Sequence, residues 1–252
     1  MGAVIAVFNQ KGGVGKTTTV INLAVALSRD KHRVLVVDLD PQANTTSGLG
    51  LEKITEGGVY SFVLGEEAPF VERSPNLDVI PSSADVAGLE VELSGVEGWQ
   101  SYLHRALEEY REDYDYVFID CPPSLGILSL MALATSDYVL IPVQTEYYAL
   151  EGLGQLSGSI ALVQESFNPN LKILGVLLTM SDGRNKLTRE VTHQVREYFG
   201  DYVFQAVIPR SVKLAEAPSF GKSILEYDRL NKGSFAYKKA AKELVKRRLA
   251  DG

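Results

Sequence analysis

A glycine-rich run at residues 9–18 constrains the fold of this chain more than any other feature of its sequence. The run reads Asn-Gln-Lys-Gly-Gly-Val-Gly-Lys-Thr-Thr and directly follows an apolar, β-branched segment at residues 4–8. Glycines let successive backbone N–H groups turn inward around phosphate oxygens, and the N-terminus of a following helix adds the positive end of its dipole. The run therefore predicts a phosphate-binding loop between a buried strand and a helix.

Particular roles follow for the polar residues of this loop. Lys16 is expected to reach the β- and γ-phosphates of a nucleotide, and the Thr17 hydroxyl to ligate Mg²⁺. The other expected nucleotide contacts are Lys11, Gly12, Gly13, Val14, Gly15 and Thr18. A glycine-rich turn without any ligand is the alternative, and Gly-Lys-Thr-Thr at a helix start argues against it.

Apolar and amphipathic segments alternate along the whole chain. The apolar segments mostly lack polar alternation, which is typical of strands buried on both faces of a parallel sheet. They are residues 4–8, 34–38, 77–80, 116–120, 138–143, 173–179 and 203–208. The helical segments are residues 18–28, 99–112, 126–135, 150–167, 187–199 and 234–249. This alternation predicts a doubly wound α/β fold, with a mostly parallel sheet and helices on both faces.

The organisation of the chain favours a single domain that spans residues 1–252. No internal repeat and no low-complexity linker divides it. Residues 48–98 are the least regular part, rich in Gly, Ser and acidic residues, and are expected to form loops and short helices above the sheet.

Three carboxylates come at the ends of predicted strands. Asp120 ends the segment 116–120, the Walker B arrangement that holds Mg²⁺ directly or through water. Asp38 ends another strand, and sheet alternation puts Asp40 on the same side, where Pro41 stops the strand. Since ligands gather beyond the carboxyl ends of strands in open α/β sheets, these groups are predicted to surround the nucleotide.

The loop departs from the ordinary G-x-x-x-x-G-K-[ST] pattern, because Gln10 takes the first glycine position and Lys11 follows it. With this second lysine it resembles the deviant Walker A ATPases of the ParA, Soj and MinD branch. The resemblance to the ParA/Soj members runs through nearly the whole chain. Its matching segments are residues 40–44, 46–50, 120–126, 146–153, 175–180 and 207–219.

The resemblance implies an Mg²⁺-dependent ATPase that converts ATP and water to ADP and phosphate. In this family Lys11 would cross to the nucleotide of a second copy, so that ATP holds a homodimer together face to face. Asp40 would orient the attacking water, and Asp38 would support Mg²⁺ and the same water network. Adenine would lie near three residues at the ends of strands, Thr179, Met180 and Pro209.

The same resemblance implies a DNA-partition function in the cytoplasm, on the nucleoid. ATP-bound dimers would bind double-stranded DNA without sequence preference, and a ParB-type centromere-binding partner would stimulate hydrolysis and release. The matching phosphate contacts are Arg184 and Lys213. Weaker candidates are Lys186, Arg189, Arg210 and Lys222, together with lysines and arginines of the C-terminal helix.

The net charge bears on this DNA hypothesis. A formal charge of −7 argues against nucleic acid when it is averaged over the chain. Residues 1–183, however, hold 10 Lys+Arg and 24 Asp+Glu, whereas residues 184–252 hold 15 and 8. The last part of the chain is therefore basic, at +7, which is compatible with DNA binding when two copies present their basic faces together.

Two other functions remain open on sequence grounds. A MinD-like membrane-cycling ATPase would need a C-terminal membrane helix, and an apolar stripe is available there. The stripe consists of Phe235, Ala236, Ala240, Leu244, Val245 and Leu249, and we expect it to pack on the sheet, so that no stable membrane association follows. A P-loop phosphotransferase would need a second small-molecule pocket, which no motif indicates.

Other chemistries find little support. A single cysteine, Cys121, excludes a disulfide scaffold and weighs against a cysteine-ligated iron–sulfur cluster. At the end of a buried strand it is expected to be an inert core residue. His32, His104 and His193 lack ligand-like spacing, so a zinc site is not expected. The longest apolar stretches are shorter than the roughly 18 residues of a membrane helix.

Overall fold

The computed structural model describes residues 2–66, 70–146 and 149–251. An eight-stranded sheet runs through it in the order β3-β4-β2-β5-β1-β6-β7-β8. The strands are β1 Ala3–Val7, β2 Val34–Asp38, β3 Val71–Ser74, β4 Leu77–Ile80, β5 Tyr116–Asp120, β6 Tyr138–Gln144, β7 Lys172–Ser181 and β8 Val203–Pro209. Neighbouring strands are parallel, except that β3 pairs antiparallel with β4. The predicted doubly wound α/β fold is confirmed.

Helices cover both faces of this sheet. They are α1 Lys16–Arg29, α2 Asn44–Gly48, α3 Val59–Val63, α4 Val86–Glu92, α5 Tyr102–Glu108, α6 Ile127–Thr135, α7 Ala149–Ser166, α8 Lys186–Phe199, α9 Val212–Glu216, α10 Ile224–Tyr227 and α11 Lys232–Asp251. Alternate residues of β1 belong to two different core clusters. Val4 and Ala6 face the cluster that contains residues of α3–α8, whereas Ala3, Ile5 and Val7 face the cluster under α1, α10 and α11. Since successive strand residues point to opposite faces, the two clusters lie on the two sides of the sheet.

The structure differs from the sequence-based prediction in the irregular region. The edge strand Val71–Ser74 was not expected, because its sequence Val-Glu-Arg-Ser is partly exposed and lacks an apolar run. The helix predicted over residues 99–112 is reduced to Tyr102–Glu108, with 3₁₀ turns at Trp99–Ser101 and Arg111–Asp113. The short helices expected in residues 48–98 are present as α3 and α4.

The C-terminal helix α11 packs along β8, the outer strand at the opposite side of the sheet from β3. Glu243 accepts hydrogen bonds from the backbone N–H groups of Gln205 and Ala206 on β8, at 2.9 and 3.0 Å. Arg247 pairs with Glu243 at 3.0 Å and donates to the carbonyl of Val203. Part of the hydrogen-bonding capacity of this outer strand is therefore satisfied by side chains of α11.

The apolar stripe of this helix lies mostly against the protein. Ala240 and Leu244 are fully buried in the core, and Ala236 and Val245 pack against it. For these residues the predicted packing is confirmed. It was wrong for the two end residues, because Phe235 and Leu249 are 55% and 70% exposed. No helix among the described residues is long and apolar enough to cross a membrane.

Candidate active site

The glycine-rich loop connects β1 to α1 at the carboxyl ends of the parallel strands. Gly13 and Gly15 have φ angles of +72° and +93°, in the left-handed region where a side chain would be strained. Gly15 is also the N-cap of α1 and has no side chain with which to occupy the helix N-terminus. The first N–H groups of the helix are therefore not capped by this residue, which leaves them available to an anion.

Lys16 lies across this loop. Its Nζ donates hydrogen bonds to the carbonyls of Asn9 and Lys11, at 2.9 and 3.4 Å. Burial lowers the pKa of the Lys16 ammonium, an effect that the nearby Asp120 carboxylate partly opposes. The ammonium is thus largely removed from water and held at the point where phosphate oxygens would enter.

Neighbouring strands hold the loop in shape. The Asn9 amide donates to the carbonyl of Pro142 on β6 at 2.8 Å, and its oxygen accepts from the Lys11 N–H at 3.0 Å. On the other side, the Thr179 hydroxyl of β7 donates to the carbonyl of Val14 at 2.8 Å. The bonds to Pro142 and from Thr179 join segments more than 130 residues apart. The loop is therefore preorganised by the sheet rather than by its own sequence alone.

Two buried carboxylates lie beside the loop. Asp38 and Asp120 are register partners at the ends of β2 and β5, and both are fully buried. Burial raises the pKa of both carboxyl groups, and the negative charge of Asp120 raises that of Asp38 further, to about 7. A neighbouring cation would relieve this repulsion.

Hydroxyl groups orient the two carboxylates. Thr17 and Thr45 donate to the same oxygen of Asp120, Oδ2, at 2.8 and 2.6 Å. The backbone N–H and hydroxyl of Thr46 both donate to Asp38 Oδ2, at 2.8 and 2.7 Å. The first turn of α2 is therefore attached to the carboxylates by three hydrogen bonds.

The residues present fit a magnesium ion. Asp120 Oδ1 is buried and has no hydrogen-bond partner in the described part of the protein, so one oxygen remains available. Carboxylate and hydroxyl oxygens are ligands that Mg²⁺ prefers. The described residues contain no group of three or more His, Cys, Asp or Glu side chains that could hold a metal. A protein site of this kind suits Mg²⁺ that also binds substrate phosphates.

Asp40 lies in the loop that follows β2. Its carboxylate accepts a hydrogen bond from the Gln42 N–H at 2.9 Å, and its own N–H donates to Asp38 at 3.3 Å. The Ser82 hydroxyl, beyond the end of β4, donates to the Asp40 carbonyl at 2.8 Å. Asp40 is buried, and it is close enough to Lys16 to influence the charge of that side chain.

A cavity of about 340 Å³ opens beside the helix N-terminus. It brings together the three positions at which the sequence placed adenine, Thr179, Met180 and Pro209, and it also contacts Gly15 and Thr18. Its other lining residues are Ile208, Arg210, Ser211, Val212, Leu214, Ala215 and Tyr237. The lining combines apolar side chains with a few polar groups, which is suitable for a planar heterocycle.

Lys11 lies on the exposed side of the loop. Its side chain is 46% exposed and its Nζ is 3.9 Å from a carboxylate oxygen of Glu146 in the same chain. The ParA/Soj-like segment that begins at Glu146 continues through Tyr147 and Tyr148, which lie outside the described residues.

The basic residues assigned to DNA are all exposed. They are Arg184, Lys186, Arg189, Arg210, Lys213 and Lys222. Five follow within a few residues of the end of β7 or β8, and Lys222 follows Gly221, which contacts Gly50. The two strand ends are adjacent, because the N–H of Arg210 donates to the carbonyl of Ser181 at 3.0 Å. The Arg184 side chain is 93% exposed and makes two 3.1 Å hydrogen bonds to Asp182. Arg184 therefore already has a carboxylate partner in the turn that carries it.

Comparisons with known proteins agree with this geometry. A family model described as an AAA domain matches residues 2–173. The Soj sporulation initiation inhibitor protein of Bacillus subtilis is 51% identical, over 97% of this chain and 99% of that protein. The chromosome partitioning protein ParA of Caulobacter vibrioides is 50% identical, over 97% of this chain and 94% of that protein. This chain belongs to the Soj/ParA family. The resemblance identified from its motifs is confirmed.

A solved structure similar to this family member contains a nucleotide. A Mycobacterium smegmatis protein described as cobyrinic acid a,c-diamide synthase, with ADP and magnesium bound, has a TM-score of 0.87 and 36% identity. The match covers 100% of this Soj/ParA chain and 97% of that one. The same protein has been crystallised with an ATP analogue and magnesium.

Some site residues of this Soj/ParA chain were missed by the sequence interpretation. Thr45 and Thr46 bind the buried carboxylates, and Ser82 links Asp40 to the end of β4. Thr45 and Thr46 follow Asp38 and Asp40 closely in the sequence, and this proximity could have identified them as candidate hydrogen-bond donors to the carboxylates. No local pattern marked Ser82 or Tyr237, because each reaches the site from a distant segment.

The buried carboxylate pair predicts an unusual effect on stability. We expect Asp38→Asn to raise the melting temperature of the nucleotide-free protein by about 3 °C at pH 8, because the amide removes one of two like charges. Since folding raises the pKa of Asp38, its charged form opposes folding above that pKa. Wild-type stability should therefore rise as the pH falls from 8 to 6, and the gain should be smaller in Asp38→Asn.

Thermal melts at both pH values check this expectation. Asp201→Asn, at an exposed position, is the matched control and should behave as wild type. A lower melting temperature for Asp38→Asn at pH 8 would show that the pair stabilises the fold.

Proposed function

We propose that this chain is an Mg²⁺-dependent partition ATPase whose ATP-bound homodimer binds double-stranded DNA without sequence preference. A ParB-type centromere-binding protein would stimulate hydrolysis and release. The observation that carries the proposal is the convergence of Lys16, Thr17, Asp38, Asp40 and Asp120 on one preorganised loop. Family membership and one continuous sheet, built from strands between residues 3 and 209, support it as the activity of a single domain.

Nucleotide binding follows from the loop. Backbone N–H groups at residues 12–18 and the Lys16 ammonium would hold the phosphates, while the cavity beside Met180 would take adenine. Thr17, Asp38 and Asp120 would hold Mg²⁺, which supplies positive charge between the phosphates and the buried carboxylates.

Hydrolysis in such a site depends on positioning and on charge stabilisation. Asp40 would orient the attacking water, since its carboxylate lies in the loop next to the metal-site carboxylate Asp38. Hydrogen bonds from the Gln42 N–H and the Ser82 hydroxyl would hold Asp40 in position.

Dimerisation would use Lys11. Its long side chain is half exposed, and its partner Glu146 is also half exposed, so their ion pair is weak in water and little is lost by breaking it. In the dimer Lys11 would reach the nucleotide of the second copy, so that pairing depends on ATP.

DNA binding would use the basic face after β7 and β8. A single copy carries an excess of acidic residues in its first 183 positions, which disfavours binding by the monomer. Two basic faces held together by ATP would double the phosphate contacts, and this would make DNA binding ATP-dependent.

Neither alternative function is favoured by a specific observation. The central residues of the α11 stripe are buried, so a membrane-inserting helix finds no free apolar face there. Three other cavities of the described structure include no residue of the phosphate loop. One of about 450 Å³ lies between residues of α3 and α5, and two of about 550 and 450 Å³ share Tyr138 and Lys172. Tyr138 and Lys172 begin β6 and β7, so these two cavities lie at the amino ends of the strands, whereas the loop lies at the carboxyl ends. A phosphate acceptor bound there could not reach the nucleotide.

DNA binding measured with ATP, with ADP and without nucleotide tests the proposal. We expect tight binding with ATP only, and a steep loss of affinity with salt because binding rests on counterion release. Equal binding in all three states would overturn the ATP-switch proposal.

A charge reversal locates the surface. We expect Arg184→Glu to lower ATP-dependent DNA affinity at least tenfold and to reduce the salt slope by about 2, one contact from each copy. Arg105→Glu makes the same charge change at an exposed position on α5 and is the matched control. Nucleotide affinity is measured alongside as a check on folding. If Arg184→Glu and Arg105→Glu bind DNA equally well, the DNA surface lies elsewhere.

A further inference from the structure

Arg73 joins three segments that are far apart in the sequence. It lies on the edge strand β3, and its side chain is 21% exposed. Its Nε donates to the carbonyl of Leu49, and its Nη2 donates to the carbonyl of Gly221 at 3.4 Å and to Glu226 at 3.3 Å. One planar guanidinium therefore holds the end of α2 against the loop between α9 and α10.

The α2 side of this junction belongs to the nucleotide site. Thr45 and Thr46, in the first turn of α2, bind Asp120 and Asp38 as described above. Leu49 is the C-cap of the same short helix, and its N–H donates to the carbonyl of Thr45 at 2.9 Å. A shift of the carboxylates would therefore move the carbonyl that Arg73 binds.

Two glycines bring the segments into direct backbone contact. Gly50 and Gly221 have φ angles of +81° and +62°. A Cβ on Gly50 would lie 2.8 Å from the Gly221 carbonyl oxygen, and a Cβ on Gly221 would lie 2.5 Å from the Gly50 Cα. Since interiors packed this closely transmit displacement, the two segments must move together or separate.

The other side of the junction carries two of the basic candidates. Lys222 directly follows Gly221. Phe220 stacks on Tyr227 with 5.1 Å between ring centroids, and the ammonium of Lys213 lies 5.4 Å from the centre of the same Tyr227 ring. The Tyr227 hydroxyl also donates to Glu216 at 3.2 Å.

Further hydrogen bonds connect residues 213–227 at the start of α10. Glu226 accepts hydrogen bonds from both the N–H and the hydroxyl of Ser223, each at 2.9 Å, and it also accepts from Arg73. Lys213 and Lys222 are therefore attached to one hydrogen-bonded unit, which Arg73 binds at two points.

We propose that Arg73, with the Gly50–Gly221 contact, couples the nucleotide site to the DNA-binding face. Arg73 is a positioning residue that touches neither nucleotide nor DNA. The inference rests on the proposed function and adds the route by which ATP changes the position of Lys213 and Lys222. Because coupling between two binding sites is reciprocal, DNA must raise ATP affinity by the factor by which ATP raises DNA affinity, and the junction contributes to both.

Arg73→Leu tests the junction. DNA affinity is measured with and without a slowly hydrolysed ATP analogue, and analogue affinity with and without DNA. We expect both reciprocal gains to fall at least fivefold, by the same factor, while analogue affinity without DNA stays within twofold of wild type. Because the two gains are equal in any variant by reciprocity, the size of the gain is the readout, and a residue that only stabilises the fold would leave it at the wild-type value.

Arg29→Leu is the matched control. Arg29 donates to the carbonyl of Leu225 at 3.0 Å and so supports α10 from α1, and this hydrogen bond does not involve α2. It should leave both gains near wild type. Gly50→Ala is the second variant, and it keeps the proposal testable if Arg73→Leu fails to fold. Its Cβ would collide with the Gly221 carbonyl and displace the loop between α9 and α10.

The outcomes separate the two proposals. If wild type binds DNA equally with and without the analogue, the proposed function fails, and the junction with it. If wild type shows the gain and both Arg73→Leu and Gly50→Ala keep it, only the junction is wrong. An equal loss in Arg29→Leu would also overturn it, since general loosening of α10 would then explain the effect.

Discussion

Lys16→Ala is expected to abolish ATP binding, with a dissociation constant at least 100-fold above that of wild type. The Lys16 ammonium is buried in the phosphate loop and hydrogen-bonded to two of its carbonyls, so its charge would act on phosphate oxygens with little screening by water. Removing it leaves the entering phosphates without their main positive charge, and the acidic carboxylates of Asp38 and Asp120 remain. Calorimetric titration with ATP and Mg²⁺ measures the loss.

The same variant should remain folded. Burial lowers the pKa of Lys16, which means that folding disfavours its charged form, so alanine should not lower the melting temperature through loss of that charge. Lys246→Ala, at an exposed position on α11, is the control and should bind ATP as wild type does. ATP binding by a folded Lys16→Ala protein within tenfold of wild type would remove the role assigned to this lysine.

Asp40→Ala is expected to bind ATP within about threefold of wild type and to form the ATP dimer, yet to hydrolyse ATP at least 100-fold more slowly. Asp40 contacts the loop backbone at Gln42 rather than the proposed phosphate position, so its loss should spare binding. A missing water-positioning group removes a contribution made in the transition state, which lowers turnover and not affinity.

Asp40→Asn separates this role from a structural one. The amide oxygen can still accept the Gln42 N–H, so the loop should keep its shape, whereas the negative charge is lost. Single-turnover hydrolysis and light scattering measure turnover and dimerisation. Slow turnover in both variants supports a catalytic carboxylate. Normal turnover in Asp40→Asn would mean that only the loop shape matters.

Sequence reasoning recovered the features whose cause is local. The phosphate loop needs glycines at fixed positions, and strands buried on both faces need continuous apolar runs, so seven of the eight strands were found from such runs. The edge strand β3 was missed because an exposed strand that pairs on one side needs no apolar run. Asp120 could be placed because it ends one of the recognisable strands.

The remaining parts of the site arise from contacts between distant segments. Thr17 and Asp120 are 103 residues apart, and Arg73 reaches Glu226 over 153 residues. A single sequence contains no periodic pattern for such pairs. Tyr237 likewise reaches the cavity beside Met180 only because α11 packs beside α1. The lining of that cavity and the pairing of each hydroxyl group with its carboxylate could therefore be obtained only from the three-dimensional structure.

The side chains that α11 places along β8 restrict how copies of this protein can assemble. Open sheets often associate by adding a strand from a second molecule to a free edge, and such growth has no natural limit. Here Glu243 and Arg247 occupy backbone groups of one outer strand, and the other outer strand, β3, is short and carries Glu72 and Arg73. Association through the sheet edges is thereby disfavoured at both ends. The proposed pairing through the surface around the phosphate loop, which a small molecule would control, would then not compete with edge-to-edge growth.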